Sequence, residues 1–158
     1  MNQSTPRLGL HSRIGTGDIT HGQWALYTET CLVGQIVNGG VEQFIENCPG
    51  LISDAEKLLA AYGPPALHDA YVKAAAPFLA VIADHAARQS DATGDALAPF
   101  HADFEAAWDV VDESLFGPIE ASCYAKARDA DPENGFTALE DRLLRWVLAY
   151  PEEFRQTG

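Results

Sequence analysis

The stretch from Trp24 to Gly50, WALYTETCLVGQIVNGGVEQFIENCPG, limits the possible folds more than any other part of the chain. Trp24, Tyr27, Cys31, Leu32, Ile36 and Val37 recur at helical spacing, and Glu29 is the only formally charged side chain before the glycine pair. A helix so apolar around its circumference is expected to lie among other helices. Thr20 with Gln23 offers it a capping box, in which each side chain satisfies an orphan backbone donor. Asn38-Gly39-Gly40 is expected to stop it, because a left-handed terminal residue costs least at glycine. Gln43, Phe44 and Asn47 then belong to a short further turn of helix closed by Pro49-Gly50.

The remaining chain repeats the helical pattern. Ser53 with Glu56 reads as a second capping box, opening a helix with Leu58, Leu59 and Tyr62 that Gly63 ends. Pro64 and Pro65 can start the next, with Leu67, Tyr71, Ala74, Ala75 and Phe78 on its apolar side. Pro77 should kink or break that run. Residues 89–97, QSDATGDAL, read as a surface loop. From Pro99, the spacing of Phe100, Phe104, Trp108, Val111 and Leu115 predicts one amphipathic helix. Pro118 opens a stretch with Ile119 and Cys123, and Thr137 with Glu140 caps a last helix containing Leu139, Leu143 and Trp146. Pro151 should end it, and Phe154 can fold back. No segment alternates over strand length. The expected fold is therefore all-α: one compact multi-helix domain of six to eight helices over residues 20–158, built around an apolar helix at about 21–38. Residues 1–19 form an irregular lead-in in which Leu8, Leu10 and Ile14 can tuck against the body.

Charge narrows the partners. The chain has 158 residues and a formal net charge of −13, of which residues 101–158 supply −8 (13 acidic, 5 basic). Such a balance opposes direct nucleic-acid binding and favours basic proteins. On the helix predicted after Pro99, Glu105, Asp109, Asp112 and Glu113 fall on the face opposite Phe104 and Trp108. Like charges four apart cost roughly 0.2–0.5 kcal/mol per pair. With Asp103 and Glu120 they form the candidate partner-binding set, against the plainer reading of a solvated acidic face. Cys31, Cys48 and Cys123 stand at wide intervals without a metal-ligand pattern. No signal peptide or membrane-length window is evident, so a cytoplasmic location is the default.

Other chemistry has less support. Asp129, Asp131, Glu133, Thr137 and Glu140 have the spacing of calcium-loop ligands, although the turn glycine is displaced to Gly135. His68-Asp69, Asp84-His85 and His101-Asp103 put acids near imidazoles, but adjacent helical residues diverge. No catalytic or phosphate-binding motif is found, and no cofactor is expected. Asn38, Gln43 and Asn47 could line a pocket at the glycine corner; their simpler role is to bond backbone groups where two helices meet. Trp24, Trp108 and Trp146 are read as core or subunit contacts.

The central stretch resembles the DNA-mimic-protein-like family of small acidic all-helical bacterial proteins, a domain of unknown function. The residues that carry the resemblance are Asn38, Gly39, Gly40, Gln43, Phe44, Asn47 and Gly50, followed by a helix pair around Gly63, an acidic helix from Asp103 to Glu113, and Trp146 to Phe154. Val41 departs from the pattern, where an aromatic or Leu is usual. The resemblance implies a non-enzymatic protein whose carboxylates imitate duplex phosphates and occupy a basic DNA-binding protein, and it implies that pairing into a homodimer is open to the chain. The alternatives are an enzyme or metal-binding helical protein with a pocket near Asn38–Gly40, or an immunity-like structural partner of a toxin.

Overall fold

Thr20 opens α1 (His21–Asn47) with the expected reciprocal cap. Its Oγ1 accepts from the Gln23 N–H at 3.1 Å, and the Gln23 side chain accepts from the Thr20 N–H at 2.9 Å. The computed structural model describes residue 14 and residues 19–88, 97–124 and 136–155. Six α-helices lie among these residues: after α1 come α2 (Ile52–Tyr62), α3 (Pro65–Arg88), α4 (Leu97–Trp108), α5 (Phe116–Tyr124) and α6 (Phe136–Ala149). Among the described residues there is no strand, only a single bridge between Ile14 and Ile19. The fold is all-α, and both isoleucines pack against the core.

The break in α1 falls at the glycine pair. Gly39 has φ −155 and ψ 19, whereas Gly40 has φ 83 and ψ −179, a conformation open essentially to glycine alone. The positive angle is thus at Gly40, one residue into a corner after which helix resumes to Asn47. Gln35 shows how sharp the bend is, since its Oε1 accepts from Gln43 Nε2 at 2.8 Å and from Asn47 Nδ2 at 3.0 Å. In a straight helix, twelve residues of separation is about 18 Å, beyond the reach of these side chains. The two parts of α1 therefore bend back towards each other.

Around α1 pack α2, α5, α6 and the 3-10 turn Pro151–Phe154, while α3 packs on α2, α4 and α5. Trp24, Ala25, Thr28, Leu32 and Ile36 form the inner face of α1, with Phe44 and Ile45 beyond the corner. They meet a core that includes Leu58, Tyr71, Phe78, Ile119 and Leu139. Contrary to the sequence reading, α1 is not enclosed on all sides: Leu26, Tyr27 and Val37 are exposed. Its neighbours cover one side, and the helical turn carries these three residues round to the other.

Three other expectations are corrected. Ser53 and Glu56 do not form a cap: α2 begins after Leu51 with no side-chain cap bond. Instead, Asp54 is fully buried and its Oδ1 accepts from Trp24 Nε1 at 2.8 Å, fixing α2 to α1. Pro77 lies inside α3 and does not end it. Lastly, Pro65–Ala87 of α3 is long and apolar enough to cross a membrane by length and composition. Six of its apolar residues, Leu67, Tyr71, Ala74, Ala75, Phe78 and Ile82, are buried in the core.

The chain end is fastened at the start of α1. Phe154 meets Trp146 edge-on at 5.1 Å and lies against Gly22, where a Cβ would come within 2.9 Å of its ring. Thr20 Oγ1 donates to the Glu153 carbonyl, and Gln23 Nε2 donates to the Arg155 carbonyl at 2.5 Å. Tyr62 stacks on Trp146 at 5.2 Å and bonds His21 Nε2 at 2.7 Å, while Arg142 donates to the Tyr62 carbonyl at 2.6 Å. Aromatic packing and charge-assisted bonds thus tie α1, α2 and α6 together. Asp141 and Arg145 form an exposed ion pair one turn apart on α6, at 2.9 Å.

Candidate partner-binding surface

Residues 97–124 contain six acidic residues and no Lys or Arg. The structure places five of the acids, Asp103, Glu105, Asp109, Asp112 and Glu113, in the solvent. Among the described residues, none of the five meets a Lys or Arg. They do not form the single helical row expected from spacing, because α4 ends at Trp108. The chain turns at Asp109 and Val110, where the Asp109 N–H bonds the Ala106 carbonyl. Asp112 takes an extended conformation and caps the 3-10 turn Glu113–Leu115 by accepting from the Ser114 N–H at 3.1 Å. Adjacent β-branched Val110 and Val111 have low helix propensity, and Asp112 competes for backbone donors. Apolar spacing survived because Trp108, Val111 and Leu115 still pack on the core. The carboxylates were displaced because the backbone that carries them changed its period.

Asp103 and Glu105 diverge, since Phe104 between them faces inward. Asp103 borders an open groove between α3 and α4, with Asp84 on the opposite helix. Glu120, the sixth member of the set, serves a different end. Its Oε1 accepts from the Val41 N–H at 3.0 Å, and an added Cβ on Gly40 would lie 2.5 Å from that oxygen. The glycine corner is thereby filled: the freed backbone donor at the restart of α1 receives a carboxylate, favoured by the helix dipole there.

The other signature residues serve the same corner. A Cβ on Gly39 would overlap the Gln43 side chain, and Phe44 is fully buried. Gln43 and Asn47 both bond Gln35, so the expectation that they bond backbone groups is corrected. Asn38 is exposed, and so is Asn47, while Gly50 lies in the turn Pro49–Leu51. Gln35 was missed because its partners are eight and twelve positions away, a spacing with no meaning until the helix bends.

A second titratable cluster joins α1, α5 and α6. The Glu29 carboxyl faces that of Glu140, and burial together with that negative neighbour pushes Glu29 up to about 7. Cys123, between Glu140, Glu120 and Glu29, is held up to about 12 by burial and by those carboxylates. Its thiol stays protonated and unreactive at neutral pH. Glu140, the last ligand of the calcium spacing, thus engages Glu29. Asp129, Asp131 and Glu133, and the side chain of Thr137, lie outside the described residues. Glu29 could have been noticed as the one charge on an apolar helix; its partner, 111 residues on, could not.

His68 reaches two acids, one of them its sequence neighbour Asp69. His68 Nε2 lies 3.0 Å from Glu56 Oε1 and its Nδ1 lies 3.9 Å from Asp69. His85 is buried, its ring 4.8 Å from that of Phe100. Trp24 is core and Trp108 is partly buried against Phe78. No curated protein and no solved structure matches the chain. One family model, described as DMP19-like protein, matches residues 17–150.

Proposed function

Because the chain belongs to the DMP19-like protein family, we propose that it is a non-enzymatic interaction protein whose acidic face occupies a basic, DNA-binding protein in place of DNA. The observation that carries this reading is the run of five solvent-exposed carboxylates from Asp103 to Glu113 in a segment without a single Lys or Arg. Exposed carboxylates gathered in such a segment create a field that draws in cationic surfaces and repels nucleic acid. Binding of this kind weakens steeply with salt, because it replaces counterions on the partner's DNA-binding surface. Glu120 is set apart from this face, since the corner uses it. The exposed apolar side chains of α1 and α6 are where a homodimer would form, through an isologous contact.

The test is a pull-down from the source cell at low salt with elution at high salt, followed by competition with duplex DNA. Basic DNA-binding proteins should dominate the eluate, and DNA should displace them. Neutralising Glu105, Asp109, Asp112 and Glu113 together, by Glu→Gln and Asp→Asn, should lower affinity at least tenfold. Unchanged affinity in that variant, with the fold intact, would reject the acidic face as the contact.

A further inference from the structure

The groove between α3 and α4 differs in chemistry from the acidic surface beside it. Its floor and walls are apolar, with Pro77, Ala80 and Val81 from α3 and Ala106 and Ala107 from α4, and Val110 stands at its end with 72% of its surface exposed. Its volume is about 590 Å³, room for two or three side chains. Asp84 and Asp103 border it from opposite helices. Beyond its end, the chain adds Asp109, Asp112 and Glu113, all exposed. The exposed Val110 extends the apolar surface of the groove, and an apolar centre within a charged rim is the usual anatomy of a protein contact.

We propose that this groove receives a cationic amphipathic segment of a partner protein, apolar side chains lying on Val81, Ala107 and Val110 and Lys or Arg reaching the flanking carboxylates. The assignment rests on the reading that the acidic face binds a protein, and adds where specificity arises. Charge alone gives attraction to any cation, while an apolar groove at its centre selects partners that present hydrophobic residues at helical spacing between basic ones. Small alanines on both walls let the backbone of the incoming segment approach closely. The acidic rim disfavours a second copy of this chain, whose own groove carries the same sign.

The experiment uses the full chain and two labelled helical peptides of equal length and charge, one with a Lys/Leu pattern and one with Lys/Ser. The Lys/Leu peptide should bind at least tenfold more tightly. Ala106→Trp, which fills the groove, and Val110→Ser, which removes the anchor, should each erase that preference while the melting temperature holds, both positions being exposed. Asp103→Asn should weaken both peptides. Equal binding of the two peptides, or a preference that survives Ala106→Trp, overturns the groove and leaves a charge-driven acidic face. Failure of both peptides to bind at low salt removes the groove and the acidic-face reading together. A dimer in sedimentation that Ala106→Trp converts to monomer assigns the groove to a second copy and also overturns the proposal.

Discussion

Glu29 keeps its proton into the neutral range because burial and the facing Glu140 both penalise its charge. An unfolded Glu ionises near pH ~4.3. The stability linked to this group is therefore complete below about that pH and is lost as pH rises through 7. Glu29→Gln should remove the decline. After discounting for the solvent-exposed part of the pair, the variant is expected to be roughly 1 kcal/mol more stable than the parent at pH 8 and equal to it near pH 4; denaturant titrations at the two pH values check this. Gly40 is the complementary case, its demand being steric. Gly40→Ala has to place a Cβ at φ 83 and 2.5 Å from Glu120 Oε1, and should cost about 2–3 kcal/mol. Glu120→Ala leaves the Val41 N–H short of its acceptor and should cost about 1–2 kcal/mol. A melt of the double variant would show whether the two losses are one, as a shared corner requires.

At the scale of elements, existence and type were legible, while some ends and most contacts between elements were not. Proline and glycine marked the starts of α3 and the end of α2 because their constraints are local. The end of α4 was hidden because Val111 and Leu115 keep the apolar period after the backbone has left the helix. Ser53 and Glu56 were assigned to a cap that does not form, and Asp54 between them was passed over, although Ile52, Ala55 and Leu58 put its side of α2 into the core. Of the candidate surface, Glu105, Asp109, Asp112 and Glu113 face solvent as their spacing implied, whereas the engagement of Glu120 was hidden because its partner at Val41 is 79 positions away. The aromatic fastening of α6 yields a prediction at this scale. Trp146 is partly buried against Tyr62, His21 and Phe154, so Trp146→Ala should cost about 2–3 kcal/mol, less than a fully buried Trp. Hydrogen exchange should rise in α6 and at the start of α1 before it rises in α3.

For the whole molecule, a formal charge of −13 on 158 residues means that the folded state bears its own repulsion. Residues 97–124 have no Lys or Arg to offset it. Raising salt from about 0.05 to 0.5 M shortens the Debye length from over 10 Å to a few ångströms, and the melting temperature should climb by several degrees. The same salt should weaken any complex with a cationic partner, so stability and affinity move in opposite directions. That divergence separates an acidic face used for binding from one that only aids solubility. Overall charge and helical class were open to a reader of the sequence, since both are sums over residues; the location of the groove depends on how α3 meets α4.

The reversal at Gly39 and Gly40 has a kinetic side. Gln35, Gln43 and Asn47 come together across at most a dozen residues, so the loop that must close is short and its entropic penalty small. The fastening of Phe154 against Gly22 spans nearly the full chain. Contacts of low sequence separation form early and distant ones late. The bent segment is thus expected to form ahead of the C-terminal turn. A chain that stalls during synthesis before the acidic segment emerges could make the Gln35 amide bonds of the corner but would still lack the Glu120 carboxylate that fills it.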